Sequence, residues 1–322
     1  MKIIEQTDIK LAANCLKAGG LVAFPTETVY GLGANALNPV AVAGIFNAKK
    51  RPNFDPLIVH ISDIQQLDEL FLAPINKAVY KLADQFWPGP LTIVHKKTDI
   101  VPAIVTSDLD GVAVRMPSHP IALELLRKAG CPIAAPSANL FGQLSPTTYQ
   151  HVAKQQMEID FLIKGNDDMV SYGIESTVVA LEGNTCTVLR PGVITANEIQ
   201  ECLPNYEVLT PNKNIKLVSP GLLQSHYSPL KPLYFLDLNS SIDDQTGVIR
   251  HLKNEDENYS ENTIFTSLTG NLLEVAANLF GALHKMEENP NITKIYIERT
   301  TEDGIGKAIM DRLNKATFQY QQ

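Results

Sequence analysis

Asn38-Pro39-Val40-Ala41-Val42-Ala43-Gly44-Ile45-Phe46-Asn47-Ala48-Lys49-Lys50-Arg51-Pro52, followed by Pro56-Leu57-Ile58-Val59, reads as a helix that runs into a strand. Asn38 before Pro39 has the form of an N-cap followed by proline at the first helical position, where the missing N–H has no intrahelical partner to lose. Pro52 ends helix formation, since a proline ring disfavours helical backbone at the residue before it. The apolar run after Pro56 has the length and branching of a buried strand. Lys49 and Arg51 therefore stand at a helix-to-strand junction. Such a pair is either a solvated helix end favoured by the macrodipole or a grip on a phosphate, and these residues alone leave both readings open.

Outward from this unit the alternation continues. Asp8 is placed to cap a helix that runs to Gly19-Gly20, and Leu21-Val22-Ala23-Phe24 reads as a strand. Further strands are expected over 57–61, 91–95, 112–116, 133–135, 161–163, 177–181 and 185–189, the last two joined by the short loop Glu182-Gly183-Asn184. Helices are expected over 74–86, 120–129 and 195–202. The class is mixed α/β, a twisted mixed sheet with flanking helices. Between Pro204 and Pro232 the chain holds five prolines, counting both ends, and little periodic apolar content, which reads as a linker. Beyond it come a strand over 233–236, a helix near Val248, a strand over 263–266 and a helix from Asn271. In that helix Leu272, Val275, Ala276, Leu279, Leu283 and Met286 recur at helical spacing. A strand over 295–297 and a helix through Ile305, Ala308, Ile309, Leu313 and Ala316 complete a smaller, Rossmann-like parallel α/β domain. The expected organisation is a catalytic domain over 1–204, a linker over 205–231 and a second domain over 232–322.

The composition bounds the function. Of 322 residues 44% are hydrophobic and 19% charged, the profile of a soluble globular chain. Met1-Lys2-Ile3-Ile4-Glu5-Gln6 has no apolar leader character and no run approaches the roughly 18 apolar residues of a membrane span, so a cytoplasmic protein with no membrane partner is expected. Cys15, Cys131, Cys186 and Cys202 are scattered, which argues against a zinc site or a disulfide framework. A net charge of −8 argues against broad binding to nucleic acid but leaves room for a local basic cleft.

Gly31-Leu32-Gly33-Ala34-Asn35-Ala36 formally fits a dinucleotide fingerprint, but Pro25-Thr26-Glu27-Thr28-Val29-Tyr30 separates it from the preceding strand and the helix opens only at Asn38. Neither a P-loop nor a G-x-S-x-G elbow occurs. What recurs is a polar turn or charged residue near the end of one predicted strand after another: Thr26 to Gly31, Arg115, Ser137 with Asn139, and Glu175-Ser176-Thr177. Strand ends gathered on one edge of an α/β sheet are where such proteins build sites.

In order, Phe24-Pro25-Thr26-Glu27-Thr28-Val29-Tyr30-Gly31-Leu32, Lys49-Lys50-Arg51-Pro52 with Pro56-Leu57-Ile58-Val59-His60, Ala113-Val114-Arg115-Met116-Pro117, Ala135-Pro136-Ser137-Ala138-Asn139, Gly173-Ile174-Glu175-Ser176-Thr177-Val178 and Leu189-Arg190-Pro191-Gly192 resemble the successive signatures of the YrdC/Sua5 family. His226-Tyr227-Ser228-Pro229 and Gly304-Ile305-Gly306-Lys307-Ala308-Ile309-Met310-Asp311-Arg312-Leu313 are similar to its two-domain Sua5 branch. The resemblance implies a YrdC-like first domain and a nucleotidyltransferase that converts L-threonine, bicarbonate and ATP into L-threonylcarbamoyladenylate and pyrophosphate for t6A modification of tRNA. A downstream transferase complex and tRNA would then be indirect partners. A double-stranded RNA-binding module of the same fold is the alternative.

By the same resemblance Lys49, Arg51 and Arg115 are the catalytic cations. Lys49, Arg51, Asp55, Ser137, Asn139, Ser145, Arg190 and His226 would contact ATP, while Thr28, His60, Arg115, Ser176 and Thr177 would surround threonine. His226 and Tyr227 would lie over the mouth of the site. Mg2+ is expected with the triphosphate, held by the phosphates, because the sequence shows no acidic ligand cluster.

Overall fold

Asn38 caps the helix Pro39–Lys49, its side-chain oxygen accepting from the backbone N–H groups of Val40 and Ala41 at 3.0 and 3.2 Å. The helix ends at Lys50, whose left-handed backbone (φ 52°) returns its N–H to the carbonyls of Asn47 and Phe46, and the strand Ile58–His60 follows. The computed structural model in which this unit sits describes residues 1–52, 54–165, 171–210 and 227–320.

The unit is one piece of an eleven-stranded mixed sheet with the spatial order Lys2–Ile4, Phe161–Ile163, Val22–Phe24, Gly31–Asn35, Ile133–Ala134, Ile58–His60, Gly111–Arg115, Leu91–Lys96, Thr177–Glu182, Thr185–Arg190 and Glu207–Leu209. Successive side chains of a strand point to opposite faces, and the two sides of this sheet are packed by different helices. Val22 and Phe24 join Ile9, Ala12 and Leu16 of the helix Ile9–Lys17 and Leu125 of the helix Pro120–Ala129. Leu21 and Ala23 turn the other way, toward Val42, Ile45 and Phe46.

Several expectations change. Asp8 makes no side-chain cap; a single 3-10 turn, Gln6–Asp8, leads into the helix instead. Gly31–Asn35, weighed in the sequence only against a dinucleotide fingerprint and given no element, is a central strand, and Gly33 is there for space: a Cβ on it would meet the side chains of Ile133 and Phe24 at 2.8 Å. Glu207–Leu209 pairs in parallel with Thr185–Thr187, so the first sheet runs on into the segment assigned to the linker. Lys2–Ile4 and the short helices Leu67–Leu70, Ala103–Thr106 and Tyr149–Lys154 carried too little periodicity to be anticipated.

The second domain has four parallel strands in the order Leu233–Phe235, Lys294–Ile297, Thr246–Arg250 and Thr263–Phe265, with the helices Leu272–Glu288 and Gly306–Thr317. The helix expected near Val248 is therefore a strand. Its Val248 and Ile249 pair on both edges, and a Cβ on Gly247 would meet Met286 Sδ at 2.6 Å. No helix among the described residues is long and apolar enough to cross a membrane.

The two domains share a core. Val29, Leu144, Ile174 and Tyr227 pack in one cluster with Val275, Leu279, Phe280, Ile309 and Leu313. Gly173 (φ 64°) lies against the helix backbone so closely that a Cβ would meet the carbonyl oxygens of Ala277 and Ala276 at 2.4 and 2.5 Å. His151 and His284 stack across the boundary, ring centroids 3.8 Å apart and planes 18° from parallel, and His284 Nε2 donates to the carbonyl of Ser145 at 3.1 Å. With Glu288 they form the described cluster whose ligand atoms lie within 4.8 Å of one another. Near-parallel rings, however, keep their lone pairs in separate planes, and Glu288 is paired with Lys154.

Burial first, then the neighbouring charges of His284, Lys154 and Lys285, pulls the His151 pKa down to about 3, and burial pulls His284 to about 4. Both are neutral in the fold and titrate near 6.5 when unfolded. Their contribution is thus complete above about pH 6.5 and is lost as pH falls toward the folded values. Between pH 7.5 and 5.5 each costs about 1.4 kcal/mol of stability. His284→Asn should flatten the loss seen in denaturant titrations at the two pH values by about 1 kcal/mol; equal losses in both proteins would contradict this. A fragment ending at residue 210 should unfold cooperatively with a higher midpoint than one ending at 204, because only the longer keeps the edge strand.

Candidate active site

His60 and Arg115 are the last residues of two parallel strands and are paired in register, so both side chains arrive at the same end of the sheet. The starts of Leu91–Lys96 and Thr177–Glu182 and the end of Thr185–Arg190 meet there too, whereas the end of Val22–Phe24 pairs with Gly31 and is level with Ser137, toward the other end of the sheet. A register shift between Val188 and Arg190 marks a bulge at the end of that last strand, the kind of irregularity that re-aims a side chain. Thr28, Arg51, His60, Arg115, Ser137, Ser176, Arg190, Glu175 and Tyr227 all line one cavity of about 60 Å3.

Three buried arginines converge on it. Arg115 donates through Nε to the carbonyl of Gly89 (3.2 Å), through Nη1 to Thr28 Oγ1 (3.1 Å) and through Nη2 to Glu27 Oε1 (2.5 Å). Burial alone would raise the Glu27 pKa, but the charge and hydrogen bond of Arg115 outweigh it and hold the carboxyl below its ordinary range. Arg51 pairs with Asp55 at 2.8 Å and donates to the carbonyls of Asp55 and Pro56. Arg190 donates to the Ser176 carbonyl through Nε and Nη2 at 3.1 and 2.9 Å, and to Ser176 Oγ at 3.1 Å. Ser176 Oγ also meets Thr92 Oγ1 at 2.8 Å.

His60 is neutral here. Burial first, then the positive charge of Arg115, brings its pKa to about 3, against a smaller opposing pull from Glu27. Its imidazole is therefore a polar, uncharged wall of the cavity.

The remaining sequence-predicted residues stand behind this surface. Lys49, fully buried, donates through Nζ to the carbonyls of Ser137 (2.6 Å) and Asn139, so its ammonium holds the Pro136–Asn139 turn against the helix. Burial, with the repulsion of Arg51, pushes its pKa well below the usual ammonium range. Asn139 donates through Nδ2 to the carbonyls of Leu140 and Gln143. Ser145 donates its hydroxyl to Glu175 at 2.5 Å, and Thr177 donates to the carbonyl of Ile194 at 2.7 Å. Asp55 is the ion partner of Arg51. His226 lies outside the described residues, whereas Tyr227 is buried in the cavity wall at φ 62°, its ring tilted against Phe280 at 5.7 Å.

Sequence reasoning gave no role to Glu27 or to Arg312, which reaches Glu175 from the second domain at 3.0 Å. Glu27 lay inside a quoted motif as a residue of the wrong sign for an anion site. Arg312 lay inside another, 137 positions from its partner, and no local pattern connects residues so far apart.

Two family models match: that of the Sua5–YciO–YrdC family, described as telomere recombination, over residues 14–192, and that of the threonylcarbamoyl-AMP synthase C-terminal domain over 194–317. The chain is 39% identical to the threonylcarbamoyl-AMP synthase of Pyrococcus abyssi, over 98% of this chain and 95% of that one. It is 40% identical to that of Bacillus subtilis, over 96% and 92%. Among solved structures, P. abyssi Sua5 complexed with L-threonine superposes with a TM-score of 0.86 at 35% identity, covering 99% of this chain and 98% of the other.

Removing one partner of a buried ion pair leaves an uncompensated charge, so Glu27→Ala should cost about 3–5 kcal/mol of unfolding free energy. Glu27→Gln, which can still accept from Arg115, should cost less. Equal and small losses in chemical denaturation would show that Arg115 is not held by this pair.

Proposed function

The chain belongs to the Sua5–YciO–YrdC family, and from that premise we propose that it is a nucleotidyltransferase making L-threonylcarbamoyladenylate from L-threonine, bicarbonate and ATP. The meeting of Arg51, Arg115 and Arg190 in one cavity with Thr28, His60, Ser137 and Ser176 is the observation that carries this reading. The reaction has anions at both ends, a triphosphate and an amino-acid carboxylate. It needs cations and donors held in place and no protein nucleophile.

The threonine amine takes up bicarbonate carbon, losing water, and becomes a carbamate. A carbamate oxygen then attacks the α-phosphorus while the bond to the pyrophosphate oxygen breaks, and pyrophosphate carries the electron pair away. Arg51 and Arg190 face the phosphates, where a planar guanidinium can grip two oxygens at once. Arg115 faces the threonine carboxylate or the nascent carbamate beside Thr28 and His60. The neutral His60 adds a hydrogen bond without drawing the carboxylate away from Arg115. Lys49 acts through the turn it braces, setting the position of Ser137.

Magnesium would travel with ATP. The carboxylates of Glu27, Asp55 and Glu175 are each committed to an arginine, so the ion would rest on phosphate oxygens and supply charge neutralisation there. A cavity of about 60 Å3 is far smaller than the roughly 300 Å3 at the low end of small-molecule sites, so Tyr227, which walls it, would have to move aside for ATP to enter. Closed again, that wall would shield a hydrolysable mixed anhydride from water. The product would serve t6A modification of tRNA through a downstream transferase complex.

Incubation with ATP, bicarbonate and threonine should release pyrophosphate and yield a threonine-containing adenylate; release with another amine but not with threonine would reject the assignment. Arg51→Ala should raise the KM for ATP about tenfold or more with a smaller change for threonine, and Arg115→Lys should do the reverse. Parallel losses of both affinities in both variants would refute the division of roles.

A further inference from the structure

We propose that Arg312, on the helix Gly306–Thr317 of the second domain, is a positioning residue of the active site: it keeps Glu175 as its own ion partner and thereby leaves Arg190 to meet the substrate anion. The proposal rests on the reading of the cavity as the ATP and threonine site, and it gives the second domain a part in substrate binding besides carrying one wall.

Each of the three cavity arginines raises the question of its counterion. Arg51 has Asp55 and Arg115 has Glu27. Among the described residues Arg190 makes no ion pair, although Glu175 lies in the same cavity wall, adjacent to the Ser176 that Arg190 holds. Both oxygens of Glu175 are occupied. Oε1 accepts from Ser145 Oγ at 2.5 Å and Oε2 from Arg312 Nε at 3.0 Å. The fork of Arg312 then secures the surrounding backbone, with Nη2 donating to the Glu175 carbonyl at 3.3 Å and Nη1 to the Pro191 carbonyl at 2.5 Å and to Asp311 Oδ2 at 3.1 Å. Only 1% of the Arg312 side chain is exposed.

These contacts join the two segments that carry Arg190 and Ser176. Pro191 follows Arg190 directly, and Gly192 lies so close to the other segment that a Cβ there would meet the Thr177 nitrogen at 2.3 Å. Burial pushes the Glu175 pKa up, but Arg312 first and Arg190 second bring it below the usual carboxylate range, so the carboxylate is charged and within electrostatic reach of both arginines. Without Arg312, a charged Glu175 would turn to Arg190. The cavity would then hold three arginines balanced by three carboxylates, and the uncompensated positive charge that an entering phosphate meets would be gone.

The test uses the full chain, with ATP binding measured by calorimetry and turnover by pyrophosphate release. Arg312→Met should weaken ATP binding about tenfold or more while changing the threonine KM less than about threefold. Adding Glu175→Gln, which removes the stranded charge, should bring ATP affinity back to within about threefold of the parent. A purely structural Arg312 predicts the opposite, a double variant at least as impaired as the single one, and that result overturns the proposal. Should Arg312→Met not fold, Glu175→Gln alone decides, because the proposal expects its ATP affinity to stay within about threefold and is overturned by a tenfold loss. If the parent chain binds ATP but releases no pyrophosphate with threonine, the assigned reaction fails; if it turns over and Arg312→Met binds ATP normally, only the role of Arg312 fails.

Discussion

Three guanidinium groups buried around one small cavity impose the constraint that the rest of the site answers to. A buried charge costs several kcal/mol unless it is paired and hydrogen-bonded, and arginine does not escape by deprotonating. Two of the three therefore bring a carboxylate with them: Glu27 lies beside Arg115, and Asp55, four residues after Arg51, pairs with it. These acids look misplaced in a site for anions when read along the chain. In space they leave the guanidinium edges turned to the cavity as hydrogen-bond donors without stacking three net charges against one another.

The sheet supplies the geometry. Because Ile58–His60 and Gly111–Arg115 run parallel and in register, His60 and Arg115 come level at the same sheet end. The hairpin between Thr177–Glu182 and Thr185–Arg190 then brings Ser176 and Arg190 back to that end from residues 14 apart. A bulge next to Arg190 matters in this setting, since in an undistorted strand the alternation of side chains would fix which face Arg190 takes.

Much of this was legible in the chain. Local chemistry named the elements it governs: Asn38 and Pro39 for the helix Pro39–Lys49, and Asn271 with the apolar spacing after it for the helix Leu272–Glu288. What escaped was decided by neighbours. Gly31–Asn35 contains two glycines and an asparagine, a turn-like composition, and becomes a strand because it pairs with Val22–Phe24 on one edge and Ile133–Ala134 on the other, with Phe24 and Ile133 leaving room only for glycine at position 33. The Thr246–Arg250 segment is a strand because it is paired on both sides, which no window of sequence displays. The site divides in the same way. Its wall residues carry recognisable polar turns, whereas the counterions are visible only once the chain has folded, with Glu27 and Arg115 88 positions apart and Glu175 and Arg312 137 apart.

The same separation bears on why the second domain is fused to the first and not merely tethered. Its helices bury Val29, Leu144 and Ile174, each of which lies within three residues of a group at the site: Thr28, Ser145 and Glu175. Gly173 admits the helix backbone at a distance where any side chain would collide. Close-packed interiors transmit displacement because they have little free volume to absorb it. Movement of the helix Leu272–Glu288 is therefore felt at Ile174, and through the next peptide at Glu175, the carboxylate on which Ser145 and Arg312 converge. Substrate anions in the cavity and the docking of the second domain thus act on one short stretch, Gly173 to Ser176. A change in domain docking would alter the charge that ATP encounters, without any residue of the second domain needing to approach the substrate.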